Sequence, residues 1–223
     1  MSREFVPRPY QHQIVDHIIR VPRCAVWAGM GMGKTVATLT AIDALTLAGA
    51  VDKVLVVAPL RVARTTWPEE PPKWNHLKHL RVVPIVGTPA ERKAALIEDA
   101  QVFTVNYEIL PWLVSHWQYA WPYSMVVLDE ATKLRSARIQ QGSKRAAELQ
   151  TIIYTKVDRV VELTGTPAPS GLESLYGQML LLDRGQRLGR TYTAFENRWF
   201  GFQRAQDAVS NGRNYVKRIA FPH

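Results

Sequence analysis

A glycine-rich loop near the N-terminus contains the first residues whose types and spacing could do chemistry. The stretch "WAGMGMGKTVAT", residues 27–38, alternates glycine with methionine and leads into Lys34 and Thr35. Glycine permits the backbone turns that direct N–H groups at phosphate oxygens, lysine reaches terminal phosphates, and a threonine hydroxyl takes one Mg²⁺ position. Ala28 stands where this loop usually opens with glycine. The pattern predicts a phosphate-binding loop formed by Gly29, Met30, Gly31, Met32, Gly33, Lys34 and Thr35.

An acidic pair lies downstream, in "VVLDEAT", residues 126–132. Mg²⁺ needs a second protein anchor besides Thr35, and phosphate hydrolysis needs a group that orients water. Asp129 would hold the metal through its water shell, and Glu130 would deprotonate the attacking water. A solvated acidic turn is the alternative. The preceding apolar run and the upstream loop favour a catalytic group made of Lys34, Asp129 and Glu130.

Apolar runs alternate with helical patterns and supply the elements that must position these residues. Buried strands are predicted within 24–28, 51–59, 81–87, 100–108, 123–130 and 159–167. Helices are predicted over 34–49, over 88–100 from a capping box at Thr88 and Glu91, and up to 182 from a second capping box at Ser170 and Glu173. This alternation predicts an α/β fold with a mostly parallel sheet and helices on both faces. Ligands bind beyond the carboxyl ends of such strands, so the glycine loop, "LDE" and "TGTP" should share one edge.

The bulk composition limits the class of protein. The 223 residues are 47% hydrophobic, which is ordinary for a globular chain, and their net charge of +9 favours a polyanionic partner. The one cysteine, Cys24, excludes an internal disulfide and fits a reducing compartment. The N-terminus has no signal-peptide core, and no apolar run approaches the ~20 residues of a membrane span. We expect a soluble cytoplasmic protein, of a bacterium or an infected host cell, with no membrane partner.

The composition changes after Asp183, which divides the chain into a predicted domain over 1–183 and a basic, aromatic-rich extension over 184–223. From 184 to 218, seven arginines and one lysine oppose one glutamate and one aspartate, a net charge of +6. Two interpretations stay open. The extension could be helical and pack its aromatic residues on the domain with its arginines in water, or it could contact nucleic acid. The second interpretation would use Arg187, Arg190 and Arg198.

Five short motifs follow one another in a fixed order along the chain: "RPYQ", "GMGKT", "VVAP", "DEAT" and "LTGTP". In this order they resemble the first RecA-like lobe of superfamily 2 helicases and translocases. The stretches "MGMGKT", "TTWPEEPPKW" and "LTGTPAPSGLESLYGQMLLLD" resemble the Swi/Snf-type branch of that group, in a bacterial or phage-like form. The resemblance covers nearly the whole chain. It implies a RecA-like P-loop NTPase domain over 1–183 that binds ATP with Mg²⁺ and acts on DNA or RNA.

The resemblance also implies roles for single residues. Gln11, in "RPYQ", would read the adenine edge through its amide. The triplet Thr164, Gly165 and Thr166 would couple the nucleotide site to the nucleic-acid path. The backbone of one nucleic-acid strand would lie against Pro59, Leu60, Arg61, Asn106 and Tyr107.

A few positions need separate comment. Trp67 and Trp74 are expected to pack in the core rather than to stack on bases. Thr132 stands where this group usually has His or Asp, which puts tight coupling to "LTGTP" in doubt. Ser170 replaces the Asn that usually follows "TGTP".

Motors of this type hydrolyse ATP between two lobes, and the second lobe supplies arginine fingers. The chain ends at His223 without the ~150 residues of a second lobe, so we expect that lobe in a longer chain or in a separate one. Arginine supplied in trans contributes about 10³–10⁵ in rate to related phosphate chemistry, so this chain alone should hydrolyse ATP poorly.

Three function classes remain at this point. The first is one lobe of a nucleic-acid-dependent ATPase, a DNA translocase or helicase. The alternative is an ATP-gated nucleic-acid-binding module without efficient turnover. A small-molecule P-loop kinase ranks last, because it has no use for "RPYQ" or "LTGTP".

Overall fold

The structure, a computed structural model, describes residues 2–131, 144–169, 171–204 and 216–220. Its strands are β1 Arg23–Trp27, β2 Val54–Ala58, β3 Val82–Ile85, β4 Val102–Asn106, β5 Met125–Asp129, β6 Arg159–Thr164, β7 Phe200–Arg204 and β8 Val216–Ala220. Its α-helices are α1 Pro9–Arg20, α2 Lys34–Leu47, the single turn α3 Trp67–Glu69, α4 Pro89–Leu96, α5 Leu110–Trp117, α6 Lys144–Thr155, α7 Leu175–Asp183 and α8 Tyr192–Trp199. A π-helix spans Val62–Thr66, and 3₁₀ turns span Pro71–Lys73, Asn75–Leu77, Gln118–Ala120 and Leu172–Ser174.

A six-stranded sheet forms the centre of the described part of the chain, in the order β1-β6-β5-β2-β4-β3. Every pair of neighbouring strands in it is parallel. The predicted α/β fold is therefore confirmed. Each predicted strand is present, and β1 begins one residue before its predicted range.

The core lies on both faces of this sheet, because successive side chains of a strand point to opposite sides. On one face Val57, Val105 and Leu128 pack with residues of α5, α6 and α7. On the other face Val56 and Val127 pack with residues of α1 and α2. Strands covered on both sides read as continuous apolar runs, which is why the sequence pattern predicted them.

Helix starts agree less well with the sequence pattern. The capping box of α4 is present, since the Thr88 hydroxyl accepts from Glu91 N–H and the Glu91 carboxylate accepts from Thr88 N–H. The second predicted capping box does not start α7, which follows a 3₁₀ turn and begins at Leu175. Glu173 instead accepts a hydrogen bond from the Tyr192 hydroxyl at 3.1 Å. Ser170, like Thr132, lies outside the described residues.

The described residues after Asp183 form helix α8 and two strands, whereas one of the two open interpretations expected a helical extension. After α8, strands β7 and β8 form an antiparallel pair. Phe195 and Phe200 share a hydrophobic cluster with Tyr176 and Leu180 of α7. This packing supports the interpretation in which the aromatic residues pack on the domain. The boundary after Asp183 stays a prediction.

Helices α1, α5 and α6 were not predicted.

In the described part of the chain, no helix combines the length and the apolarity that crossing a membrane requires.

Candidate phosphate and metal site

Loops that leave the carboxyl ends of β1 and β6 meet at one edge of the sheet. Ala28 N–H donates to the Thr164 carbonyl oxygen across 3.2 Å. A Cβ added at Gly165 would lie 3.5 Å from the Met30 nitrogen. The Thr164 hydroxyl oxygen accepts from Thr166 N–H at 3.1 Å. The three residues predicted to couple the nucleotide to the nucleic acid therefore border the glycine loop.

The glycine loop has a backbone that residues with a Cβ disfavour. Gly31 and Gly33 have φ angles of +75° and +73°, in the left-handed region. A Cβ at Gly33 would lie 2.4 Å from the Gln11 amide nitrogen. Helix α2 begins directly afterwards, at Lys34, so its free N–H groups and positive dipole end adjoin the loop. A turn of this kind before a helix N-terminus can surround a phosphate.

Lys34 lies folded onto its own loop. Its Nζ donates to the carbonyl oxygens of Ala28 at 2.7 Å and Gly29 at 2.9 Å. Burial lowers the pKa of Lys34, and the carboxylates of Asp129 and Glu130 act in the opposite direction. Strands β1 and β5 flank β6 in the parallel sheet, so the glycine loop after β1 and the acidic pair at the end of β5 lie at the same edge.

Strand β5 delivers the acidic pair to the same edge. Asp129 Oδ2 accepts from the Trp67 indole Nε1 at 2.9 Å, and its Oδ1 accepts from Glu130 N–H at 3.0 Å. Burial raises the pKa of Asp129, and these two hydrogen bonds lower it. Glu130 is exposed and has a φ of +55°, which a residue with a Cβ rarely adopts. Backbone strain of this kind concentrates at functional sites.

Two aromatic residues hold Asp129, and no motif marked either of them for that role. Trp67 is fully buried, as expected for a core residue, yet its N–H is the group that bonds to the carboxylate. Tyr107 donates its hydroxyl to the Asp129 carbonyl oxygen at 2.7 Å. A general signal was available, because the polar atom of a buried Trp or Tyr needs a partner.

Gln11 lies beside the loop, but its amide already has partners. The amide oxygen accepts from Arg8 N–H at 2.9 Å, and the amide nitrogen donates to the Met32 carbonyl oxygen at 3.2 Å. In this arrangement Gln11 ties α1 to the glycine loop. One amide N–H is left for an adenine, and the contact stays a prediction.

The residues predicted to touch a nucleic-acid strand separate into an exposed and a buried group. Leu60 and Arg61 are exposed beyond the end of β2, next to the partly exposed Pro59. Asn106 and Tyr107, by contrast, are only 5% and 7% exposed. Asn106 Nδ2 donates to the Glu108 carboxylate at 2.6 Å, and the Tyr107 hydroxyl donates to the Asp129 carbonyl oxygen. Burial to this extent disfavours a contact with phosphate at these two residues and leaves Pro59–Arg61 as the accessible part of the predicted surface; the contact stays a prediction.

The three arginines predicted to bind nucleic acid are all exposed. Arg187 Nε lies 3.7 Å from the Asp183 carboxylate. The Arg198 guanidinium lies 5.2 Å from the centre of the Trp199 ring. Exposure leaves Arg187, Arg190 and Arg198 open to a phosphate, while the aromatic residues around them are packed.

The donor set at the edge fits Mg²⁺ and the phosphates of a nucleotide. Lys34 and the N-terminus of α2 supply positive groups, while the Thr35 hydroxyl and the Asp129 carboxylate are the oxygen ligands that Mg²⁺ prefers. A cavity of about 470 Å³ adjoins the loop between α1 and the end of β1, with Tyr10 and Trp27 in its lining. No group of three or more His, Cys, Asp or Glu among the described residues could hold a metal.

Comparisons with known proteins show which family and which relatives this chain resembles in sequence. The family model of the SNF2-related domain matches residues 20–219. Protein p41 of Acyrthosiphon pisum secondary endosymbiont phage 1 is 52% identical over 200 residues, which cover 89% of this chain and 44% of that protein. The DNA excision repair protein ERCC-6-like of Mus musculus is 30% identical over 174 residues, which cover 74% of this chain and 13% of that protein.

A solved structure has the same fold. It is the Sulfolobus solfataricus SWI2/SNF2 ATPase core in complex with dsDNA, which is 23% identical and superposes with a TM-score of 0.68. The match covers 88% of this chain and 39% of the solved one. The chain thus spans less than half the length of each of these relatives.

Proposed function

This chain belongs to the SNF2-related domain family, and from that premise we propose that it is the ATP-binding lobe of a DNA-dependent ATPase of the translocase or helicase type. The family match confirms the resemblance to Swi/Snf-type ATPases that the motif order predicted. The observation that supports the proposal is that the glycine loop with Lys34 follows β1 and that Asp129 and Glu130 lie at the end of β5, at one edge of the parallel sheet.

Each residue at this edge has a separate task. Lys34 exchanges its bonds to Ala28 and Gly29 for bonds to the terminal phosphates of ATP. Thr35 and Asp129 hold Mg²⁺, which when bound neutralises charge that develops on the phosphates. Glu130, exposed beside them, orients the attacking water and accepts its proton.

DNA and a second lobe complete the proposal. The solved SWI2/SNF2 core is described in complex with dsDNA, and on this chain Leu60, Arg61 and the exposed arginines of the extension offer a surface for phosphates. The second lobe, in a longer chain or in trans, adds the arginine that raises turnover. Alone, the chain binds ATP tightly and hydrolyses it slowly. ATP and DNA are both available in the cytoplasm of a bacterium or of an infected host cell, where we place the activity.

A turnover measurement tests this function. Single-turnover hydrolysis of ATP by the purified chain should be detectable and should increase when dsDNA is added. Glu130→Gln should keep the parent affinity for Mg·ATP and lose turnover by about 10²–10⁴, because the amide cannot accept a proton from water. If Glu130→Gln hydrolyses ATP at the parent rate, Glu130 is not the base.

The same measurement separates the ATPase from the ATP-gated binding module. A binding module would show DNA affinity that changes with Mg·ATP, and a turnover that equals that of Glu130→Gln with or without DNA. That result would overturn the ATPase proposal in favour of the module.

A further inference from the structure

Asp129 is held from two directions by buried aromatic side chains that come from different parts of the chain. Trp67 opens α3, and its indole N–H bonds to Oδ2 of the carboxylate at 2.9 Å. Tyr107 follows β4, and its hydroxyl bonds to the Asp129 backbone oxygen at 2.7 Å. The first contact fixes the side chain, and the second fixes the backbone that carries it.

Both carboxylate oxygens of Asp129 are engaged and both can accept a further ligand. Oδ2 accepts from Trp67, and Oδ1 accepts from Glu130 N–H at 3.0 Å. A carboxylate oxygen has two lone pairs, so each oxygen keeps one. The carboxylate cannot rotate without breaking one of the two hydrogen bonds, so its orientation is restricted before a ligand binds.

Trp67 is itself held rigidly. It follows the π-helix Val62–Thr66, and its backbone N–H donates to the Val62 carbonyl oxygen. The Thr104 hydroxyl donates to the Ala63 carbonyl oxygen at 2.6 Å, which attaches the π-helix to β4. The indole is fully buried. π-helical turns occur frequently at functional sites, where they turn a side chain away from the regular helical register.

We propose that Trp67 and Tyr107 are positioning residues that hold the Asp129 carboxylate in the orientation required for Mg²⁺ at the nucleotide site. The proposal rests on the proposed function, because it takes Asp129 as the metal anchor. Trp67 acts on the carboxylate directly, and Tyr107 acts through the backbone of the strand end. Residues that orient a metal ligand typically change metal affinity by about 10–100-fold when they are removed.

The chain contains a matched control for Trp67. The Trp74 indole Nε1 donates to the Glu70 carboxylate at 2.9 Å, the same length as the Trp67 bond. Glu70 lies in the short helical stretch before the 3₁₀ turn Pro71–Lys73. It is not among the residues predicted to bind the nucleotide or the metal. Trp74→Phe therefore removes the same type of hydrogen bond at a place where no metal is expected.

The experiment measures how much Mg²⁺ improves the binding of a nucleotide. Titration calorimetry with the non-hydrolysable ATP analogue AMP-PNP, in Mg²⁺ and in EDTA, gives two dissociation constants whose ratio is the Mg²⁺ preference. Trp67→Phe should lower this preference by about tenfold or more. Trp74→Phe should keep the parent preference. Asp129→Asn gives the lower limit of the Mg²⁺ preference. The double variant with Asp129→Asn and Trp67→Phe should have the same Mg²⁺ preference as Asp129→Asn alone.

Tyr107→Phe keeps the test decisive if Trp67→Phe does not fold, because it removes a single oxygen atom and leaves the ring in place. It should lower the Mg²⁺ preference while affinity in EDTA stays at the parent value. Folded variants of both residues with the parent preference would overturn the inference, and so would an equal loss in Trp74→Phe. A parent chain without any Mg²⁺ preference would overturn the proposed function and this inference together. A Mg²⁺ preference that only Asp129→Asn removes would overturn the inference alone.

Discussion

Lys34 donates to the backbone carbonyl oxygens of Ala28 and Gly29. The phosphate oxygens of a nucleotide carry negative charge, which a carbonyl oxygen does not, so they attract the ammonium more strongly. We therefore expect Lys34 to exchange these two carbonyl oxygens for phosphate oxygens when a nucleotide binds.

Lys34→Ala should abolish measurable binding of Mg·ATP. Hydrogen bonds to charged groups contribute about 1.5–3 kcal/mol each, so losing two of them raises the dissociation constant by about 100-fold or more. Calorimetric titration measures the constant, and circular dichroism checks that the variant is folded. Lys53→Ala is the control, since Lys53 precedes β2 at the opposite edge of the sheet. An unchanged affinity in folded Lys34→Ala would refute the phosphate-binding loop.

The sequence predicted which residues at this edge bind the nucleotide or act in catalysis. It did not predict the side chains that hydrogen-bond to Asp129. Lys34 and Asp129 were predicted because glycine spacing and a strand-end carboxylate have a direct chemical meaning. Trp67 was missed because a tryptophan in an apolar context indicates burial and says nothing about the partner of its N–H. Tyr107 was predicted to touch nucleic acid, and its ring is turned inward to Asp129. Partners of this kind come from distant strands, so no local pattern contains them.

The capping box of α4 is the element whose sequence signal and structure agree most closely. Thr88 Oγ1 accepts from Glu91 N–H at 3.3 Å, and the Glu91 carboxylate accepts from the Thr88 N–H and hydroxyl at 2.6 and 2.8 Å. The hydrogen bonds from the Thr88 backbone and side chain lower the pKa of Glu91. A carboxylate whose pKa is lowered by folding stabilises the fold above its unfolded pKa, and this stability is lost as pH falls through the folded pKa.

Thr88→Ala should lower the free energy of unfolding by about 1 kcal/mol at pH 7. The difference from the parent should narrow as pH falls below the unfolded pKa of about 4.3, because the parent then loses its ionised Glu91 partner. Urea unfolding at a series of pH values measures both quantities.

Thr191→Ala is the control for this pH dependence. Thr191 also caps a helix, accepting from Ala194 N–H at 3.1 Å, and its cap has no acidic residue at the matching position. Its loss of stability should be similar at pH 7 and should not narrow in acid. A Thr88→Ala difference that stays constant down to pH 3 would show that the bond from the Thr88 hydroxyl to ionised Glu91 contributes nothing, since alanine keeps the backbone N–H that also donates to Glu91.

Elements differ in how far a pattern can predict them. Strands β2, β4 and β5 are buried on both faces, so their apolar runs identify them. The π-helix before Trp67 is fixed by long-range contacts such as the bond from Thr104 to Ala63, which a local pattern does not contain. The short strands β7 and β8, "FGFQR" and "VKRIA", do not alternate regularly between polar and apolar residues, so no strand pattern identified them. Tertiary packing decides such segments.

At the scale of the whole molecule, the charge is distributed unevenly. Residues 184–218 carry a net charge of +6 of the total +9. Phe195 and Phe200, two of the six aromatic residues in this segment, belong to a packed cluster, while Arg187, Arg190 and Arg198 are exposed. Because the rings of Phe195 and Phe200 are packed, they cannot stack on bases, and we expect the exposed arginines to contribute to DNA binding through charge. Charge contacts with phosphates release counterions and depend steeply on salt.

Replacing Arg187, Arg190 and Arg198 with serine should therefore flatten the salt dependence of DNA binding. Each phosphate contact contributes a slope of about −0.7 to −0.9 to a plot of log affinity against log salt, so the variant should lose roughly two to three contacts. Fluorescence anisotropy with labelled DNA at several salt concentrations gives the slope. A control with the same change in charge replaces Lys53, Lys78 and Arg81, which precede β2 and β3 in the sheet. The control should keep the parent slope, because Arg184 bonds to the Tyr154 carbonyl oxygen and so places the start of the extension beside α6, away from β2 and β3. If the first variant is folded and keeps the parent slope, its arginines serve only to solvate a packed extension, and the DNA surface reduces to Pro59, Leu60 and Arg61.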